Sequence, residues 1–156
     1  MSWKTLIDKT IDPDGRCIAE KDYDKIIFSQ AFRRMSRKTQ VHPLAVNDHV
    51  HNRMIHSLEV ANVGRSIVYN IQNRNGLDKL LAAKYVMAAG IGHDFGNPPF
   101  GHLGENAISK WVIENSETIE ACGISKSVID TYRSYDGNPQ NFHLFASAEY
   151  FNKMIS

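Results

Sequence analysis

Two histidines, an aspartate and a glutamate crowd a single stretch of this sequence, AAGIGHDFGNPPFGHLGENAI at residues 88–108. His93 and Asp94 are adjacent where an apolar run gives way to glycine and proline, and such a pair can converge on one ion when the last turn of a helix loosens. Upstream, in NRMIHSLEV, Arg53 and His56 stand three apart and so share a helical face, which points a guanidinium and an imidazole into the same space. Nitrogen and carboxylate donors without thiolate suit Mn²⁺, Mg²⁺, iron, cobalt or nickel, or a catalytic rather than a structural zinc. Three such ligands leave positions open for water and substrate. Past the bend, His102 and Glu105 are again three apart, just inside a new helix, and an imidazole with a carboxylate on one face suits general acid–base work.

The elements that must position these groups read as helices throughout. Residues 22–37 place Ile26, Ile27, Ala31, Phe32 and Met35 at mixed three- and four-residue spacing, which predicts an amphipathic helix with its arginines toward one flank. After a loop from Pro43 to Asn47, a long helix is predicted from an N-cap at Asp48 to about Asn73, with Val50, Met54, Leu58, Ala61, Val63, Ile67 and Val68 as its apolar residues and Gly76 beyond its end. A third helix over 78–93 is apolar nearly all round and reads as buried and central. Further helices are predicted at about 99–114 and 124–135, and from about Pro139 to the end of the chain. The stretch 119–127 reads as loop and helix start. The fold class is therefore all-α.

At 156 residues, 42% hydrophobic and 22% charged, the chain is one domain's worth with room for a real core. Eighteen Lys and Arg against seventeen Asp and Glu give a formal charge of +1, so nothing in the charge balance indicates nucleic acid or an anionic membrane, and any anion must be bound locally. Cys17 and Cys122 lie far apart and read as free thiols. The N-terminus lacks the apolar core of a signal peptide, and the most apolar stretch is too short to span a bilayer and contains Lys84. A reducing cytoplasm fits these features. The predicted last helix reaches Ser156 without a stop signal or polar tail and exposes an apolar stripe of Phe142, Phe145, Ala146 and Tyr150, which together suggest a chain cut short at its C-terminus.

Taken in order, AFRRMSRKTQVHP, HNRMIHSLEVANVGRSI, AAGIGHDFGNPPFGHLGENAI and SYDGNPQNF resemble the successive signatures of the deoxyguanosine triphosphate triphosphohydrolases, within the HD-domain phosphohydrolase superfamily. The resemblance spans roughly residues 26–145. It implies an N-terminal segment at 1–25 followed, from 26 to 156, by the N-terminal part of an HD-type helical domain. It implies a divalent metal, Mn²⁺, Mg²⁺ or another transition metal, held by His56, His93 and Asp94, with a fourth aspartate ligand expected beyond residue 156. His102 and Glu105 become the implied catalytic pair. Gln40 is expected near the deoxyribose, Arg53 near the triphosphate, and Asn97 beside the phosphates, where many relatives carry histidine. The implied reaction is hydrolysis of dGTP or other dNTPs to a deoxynucleoside and inorganic triphosphate, by a protein that assembles into homo-oligomers. His42 stands where an aromatic residue is usual and His51 where arginine is usual, which removes part of the family's anion-binding charge. The alternatives are another HD-type phosphohydrolase acting on a different phosphate ester, or a truncated, inactive module that binds nucleotide or forms oligomers.

Overall fold

The computed structural model describes residues 11–40, 51–71 and 78–146. Among these residues every regular element is helical: α1 (Ile18–Phe28), α2 (Gln30–Arg34) with a 3₁₀ turn at Met35–Arg37, α3 (Arg53–Asn70), α4 (Lys79–Gly92), α5 (His102–Glu114), α6 (Ser116–Ala121), α7 (Lys126–Arg133) and α8 (Gly137–Ala146). Two isolated β-bridges, Ile11 with Cys17 and Thr39 with Asn52, are the extended pairings among the described residues.

The helix predicted over 22–37 is broken. It begins earlier, at Ile18, because Glu20 returns its carboxylate to the Cys17 amide at 2.9 Å, a side chain three residues in satisfying an exposed first-turn donor. It stops at Ser29, whose hydroxyl accepts the Phe32 N–H at 3.1 Å and so caps a second helix in its own right. The long helix starts at Arg53 with Asn52 as its cap, its Oδ1 accepting the Ile55 N–H at 2.9 Å. The predicted cap at Asp48, together with Val50 and His42, lies outside the described residues. The helix predicted over 78–93 starts at Lys79, capped by Asp78, whose Oδ1 accepts the Leu81 N–H at 3.0 Å. Residues 116–121, taken in part as loop, form the short helix α6.

α3 and α4 make the most extensive helix pair, and α1 lies against α4, tied there by a Lys84–Glu20 ion pair at 2.9 Å. The main core gathers Ile26, Phe32, Met35, Ala61, Ile91 and Phe95, with Met54, Leu58, Met87, Leu144 and Phe145 packed against it. Val63 and Ile67 do not join it: at two and six residues from Ala61 they face the other side of α3 and remain more than half exposed. The predicted stripe on α8 also divides. Phe142 is 76% exposed, but Phe145 turns inward and stacks on Phe95 with ring centroids 5.1 Å apart, while Tyr150 lies outside the described residues.

Candidate functional site

The site forms where the start of α3, the end of α4 and the start of α5 meet. α4 carries the chain through the core as far as Gly92; His93 and Asp94 follow in a tight turn, with Asp94 and Phe95 both buried. From the neighbouring helix His56, in the first turn of α3, brings its ring to 5.3 Å from the His93 ring, edge to face. One potential ligand atom from each of His56, His93 and Asp94 lies within 4.8 Å of the others, a group that could hold a metal ion. His93 Nδ1 lies 2.8 Å from the Gly90 carbonyl, which can only accept, so Nδ1 carries the proton and Nε2 keeps the lone pair a ligand needs. The donor set therefore fits a divalent cation: two imidazoles and a carboxylate, one of the imidazoles already in the right tautomer.

Asp94 is held from two sides. Arg53 Nη1 donates to Oδ2 at 2.8 Å and Asn97 Nδ2 to Oδ1 at 2.5 Å, while His93 Nε2 sits 3.4 Å from Oδ1. Arg53 and Asp94 are both nine-tenths buried, so the pair is locked rather than solvated. The shared face read from the sequence for Arg53 and His56 is thus present, with the guanidinium turned toward Asp94. Arg53 Nε has no hydrogen-bond partner among the described residues, nor has the buried Oε1 of Gln40. The Gln40 amide meets the His51 carbonyl at 3.3 Å, which places Gln40 beside the start of α3. His51 itself is exposed and sits 3.6 Å from Glu59.

The bend between α4 and α5 is longer than the sequence suggested. The predicted start at Pro99 fails because Phe100 (φ 67°) and Gly101 (φ 54°) are both left-handed, and a right-handed helix can begin only after them, at His102. Gly101 has a second reason to lack a side chain, since a Cβ there would lie 2.7 Å from Arg53 Nη2. One turn on, His102 Nδ1 lies 2.6 Å from Glu105 Oε2. The imidazole is almost wholly exposed, at 95% of its side-chain surface, whereas the Glu105 carboxylate is buried and accepts the Gly137 N–H on its other oxygen at 2.9 Å. An open imidazole backed by a buried acceptor is a group able to exchange a proton with something bound in front of it.

Lys38 escaped the sequence reading. Its Nζ donates to the carbonyl of Asn97 at 2.7 Å and to that of Phe95 at 3.4 Å, pinning the turn that carries Asp94. Burial, and then the neighbouring Arg34 and Arg53, push its pKa below that of an ordinary lysine, with Asp94 opposing. No spacing rule links a lysine to carbonyls 57 and 59 residues away, so the motif that contains Lys38 does not reveal what its side chain holds. Tyr135 was also missed. Its hydroxyl donates to the Gly96 carbonyl at 3.0 Å, and burial, followed by Tyr132 and the Glu105 carboxylate, raises its pKa.

The HD domain family model matches residues 53–134, which take in His56, His93, Asp94 and the His102–Glu105 pair. The chain belongs to the HD domain family. Curated relatives extend the likeness across most of the remaining sequence. A deoxyguanosinetriphosphate triphosphohydrolase-like protein of Pseudomonas aeruginosa is 40% identical over 96% of this chain and 37% of its own length. A protein of the same name from Synechocystis is 42% identical over 80% of the chain and 30% of its own length. A deoxyguanosinetriphosphate triphosphohydrolase of Yersinia enterocolitica is 40% identical over 79% of the chain and 27% of its own length. The chain thus spans roughly a third of the length of these relatives. Both cysteines of the chain are free, Cys17 buried and Cys122 exposed, and none of its described helices is long and apolar enough to cross a membrane.

Proposed function

We propose that this chain carries the metal-holding and proton-handling halves of a deoxynucleoside triphosphate triphosphohydrolase, acting on dGTP or on dNTPs more broadly. The observation that carries the reading is the pairing of His102 with a buried Glu105 at 2.6 Å, on the turn that follows the His56, His93 and Asp94 group. When bound there, a divalent cation would polarise a phosphate oxygen and lower the pKa of water. His56, His93 and Asp94 would hold it. The reaction joins a water oxygen to the α-phosphorus, breaks the bond from that phosphorus to O5′, and delivers a proton to O5′, so that triphosphate leaves whole. His102 is suited to the proton transfer: Glu105 occupies Nδ1, which leaves Nε2 facing open space.

The substrate contacts belong to the same proposal. The buried Gln40 Oε1 is an acceptor in need of a donor, which a deoxyribose hydroxyl would supply. Arg53 keeps Asp94 in place and would offer its remaining N–H groups to the triphosphate, with Asn97 beside it. A homo-oligomer in the cytoplasm is the setting that the exposed Phe100, Leu103 and Phe142 and the free thiols support. The test is to incubate the protein with each dNTP and Mn²⁺ or Mg²⁺ and identify the inorganic product. Triphosphate is expected; pyrophosphate or orthophosphate would overturn the assignment.

A further inference from the structure

The motif SYDGNPQ, at residues 134–140, contributes neither a ligand nor an acid–base group to the reading above, yet the structure drives it into the centre of the site. Gly137 is the first residue of α8. A first-turn amide has no partner within its own helix. Here that amide donates to Glu105 Oε1 at 2.9 Å, on a carboxylate whose other oxygen bonds His102 Nδ1 at 2.6 Å. His102 is 95% exposed, and Glu105 is the side-chain partner that orients it, so whatever fixes the Glu105 carboxylate fixes the imidazole.

The fit at position 137 leaves no room for a side chain. A Cβ there would stand 2.1 Å from Asn97 Oδ1 and 2.9 Å from Glu105 Oε1. The same approach recurs on the bend, where a Cβ on Gly96 would meet the Gly137 carbonyl and the Asn141 amide, each at 2.2 Å. Tyr135 secures the segment at both flanks, its hydroxyl on the Gly96 carbonyl at 3.0 Å and its amide on Ser109 Oγ of α5, also at 3.0 Å. Position 137 therefore lies between the amide that supports Asp94, through Asn97 Nδ2, and the carboxylate that supports His102.

We propose that Gly137 is a positioning residue for the His102–Glu105 pair: its backbone N–H anchors the carboxylate that sets the His102 tautomer, and its missing side chain lets α8 approach closely enough to do so. A charge-assisted bond from a backbone amide is strong and directional, and it leaves Glu105 one defined orientation toward the ring. With that anchor gone, the carboxylate can rotate and the exposed imidazole is free to take either tautomer.

The inference deepens the proposed hydrolase reading and rests on it only for its kinetic consequence. The direct measurement is the imidazole ¹⁵N spectrum of His102, assigned against His102→Gln, at a pH where the ring is neutral. The wild type is expected to show mainly the Nδ1–H tautomer, and Gly137→Ala to move the population toward Nε2–H. In dNTP hydrolysis the same variant should lose about tenfold or more in kcat with KM little changed. Should Gly137→Ala not fold, the amide itself is read by hydrogen exchange. The Gly137 N–H is expected to be protected in the wild type and to lose about tenfold of that protection in Glu105→Ala, the order of change carried by one hydrogen bond to a charged group. An unshifted tautomer in a folded Gly137→Ala, or a Gly137 amide that exchanges freely in the wild type, overturns the proposal. A shifted tautomer in a protein that releases pyrophosphate or orthophosphate from dNTPs in place of triphosphate would leave the positioning role standing and remove the triphosphohydrolase assignment.

Discussion

Replacing Arg53 by methionine tests whether the core of the site is held by charge. The guanidinium and the Asp94 carboxylate meet at 2.8 Å with side chains 8% and 9% exposed, so solvent screening of the kind that weakens surface pairs does not apply. Methionine fills much of the same volume and removes the charge, stranding a buried carboxylate, a change that costs about 3–5 kcal/mol. Asp94 would keep the Asn97 amide at 2.5 Å, which places the expected loss near the lower end, about 3 kcal/mol. At roughly 2–4 °C per kcal/mol for a domain of this size, Tm should fall by about 6–12 °C. The assay is urea and thermal unfolding followed by far-UV circular dichroism, run with and without Mn²⁺. The cation should raise the variant's midpoint by more than the wild type's, because it meets a carboxylate no longer neutralised by Arg53. A loss under about 1 kcal/mol would refute the reasoning, since it would mean that water reaches the pair and that Asp94 does not depend on Arg53.

Other outcomes follow from the same geometry. His56→Ala, His93→Ala and Asp94→Ala should each weaken Mn²⁺ binding by more than about 100-fold in calorimetry with helical content retained, because loss of an outer-shell partner alone costs about 10–100-fold; undiminished affinity in any of them would strike that residue from the ligand set. His102→Ala and Glu105→Ala should instead keep the metal and lose about 10²–10⁴ in turnover, and loss of metal in either would make it a ligand. Gly101→Ala must accept φ 54° and a Cβ 2.7 Å from Arg53 Nη2, so denaturant unfolding should show about 1–3 kcal/mol of destabilisation, and an unchanged midpoint would contradict the turn. Lys84, and then the Cys17 amide, hold Glu20 below the ordinary glutamate pKa. Its contribution is accordingly present near neutral pH and lost as pH falls through the carboxylate range. With a third of the side chain exposed this amounts to roughly 0.5 kcal/mol. Glu20→Gln should flatten the acid limb of a stability–pH profile by that amount, and an identical profile would show the pair to be inert.

Local rules carried far in this chain because its chemistry is arranged by short helical spacings. Arg53 with His56, and His102 with Glu105, are each three apart, and three residues of helix put side chains on one face wherever the helix sits. Apolar runs likewise exposed α4 as a buried helix. The breaks were harder to see. Ser29 ends one helix and caps the next within a continuous amphipathic pattern, and nothing in the letters PPFG says that Phe100 will turn left-handed and delay α5 to His102.

What the sequence determined by itself was the inventory and its local register: helices, two imidazoles and a carboxylate of ligating type, and an imidazole–carboxylate pair beyond a bend. Tertiary structure alone decided which of these meet. His56 reaches His93 because α3 and α4 pack side by side, and Arg53 spends its charge on Asp94, 41 residues away, because both are buried at that junction. Lys38, Tyr135 and Gly137 enter the site through backbone carbonyls and a backbone amide, groups common to nearly all residues, so no spacing along the chain pairs them with their partners. Their roles exist only once the chain has folded, because contacts between residues distant in sequence are fixed by the packing of whole helices and not by the spacing along any one of them.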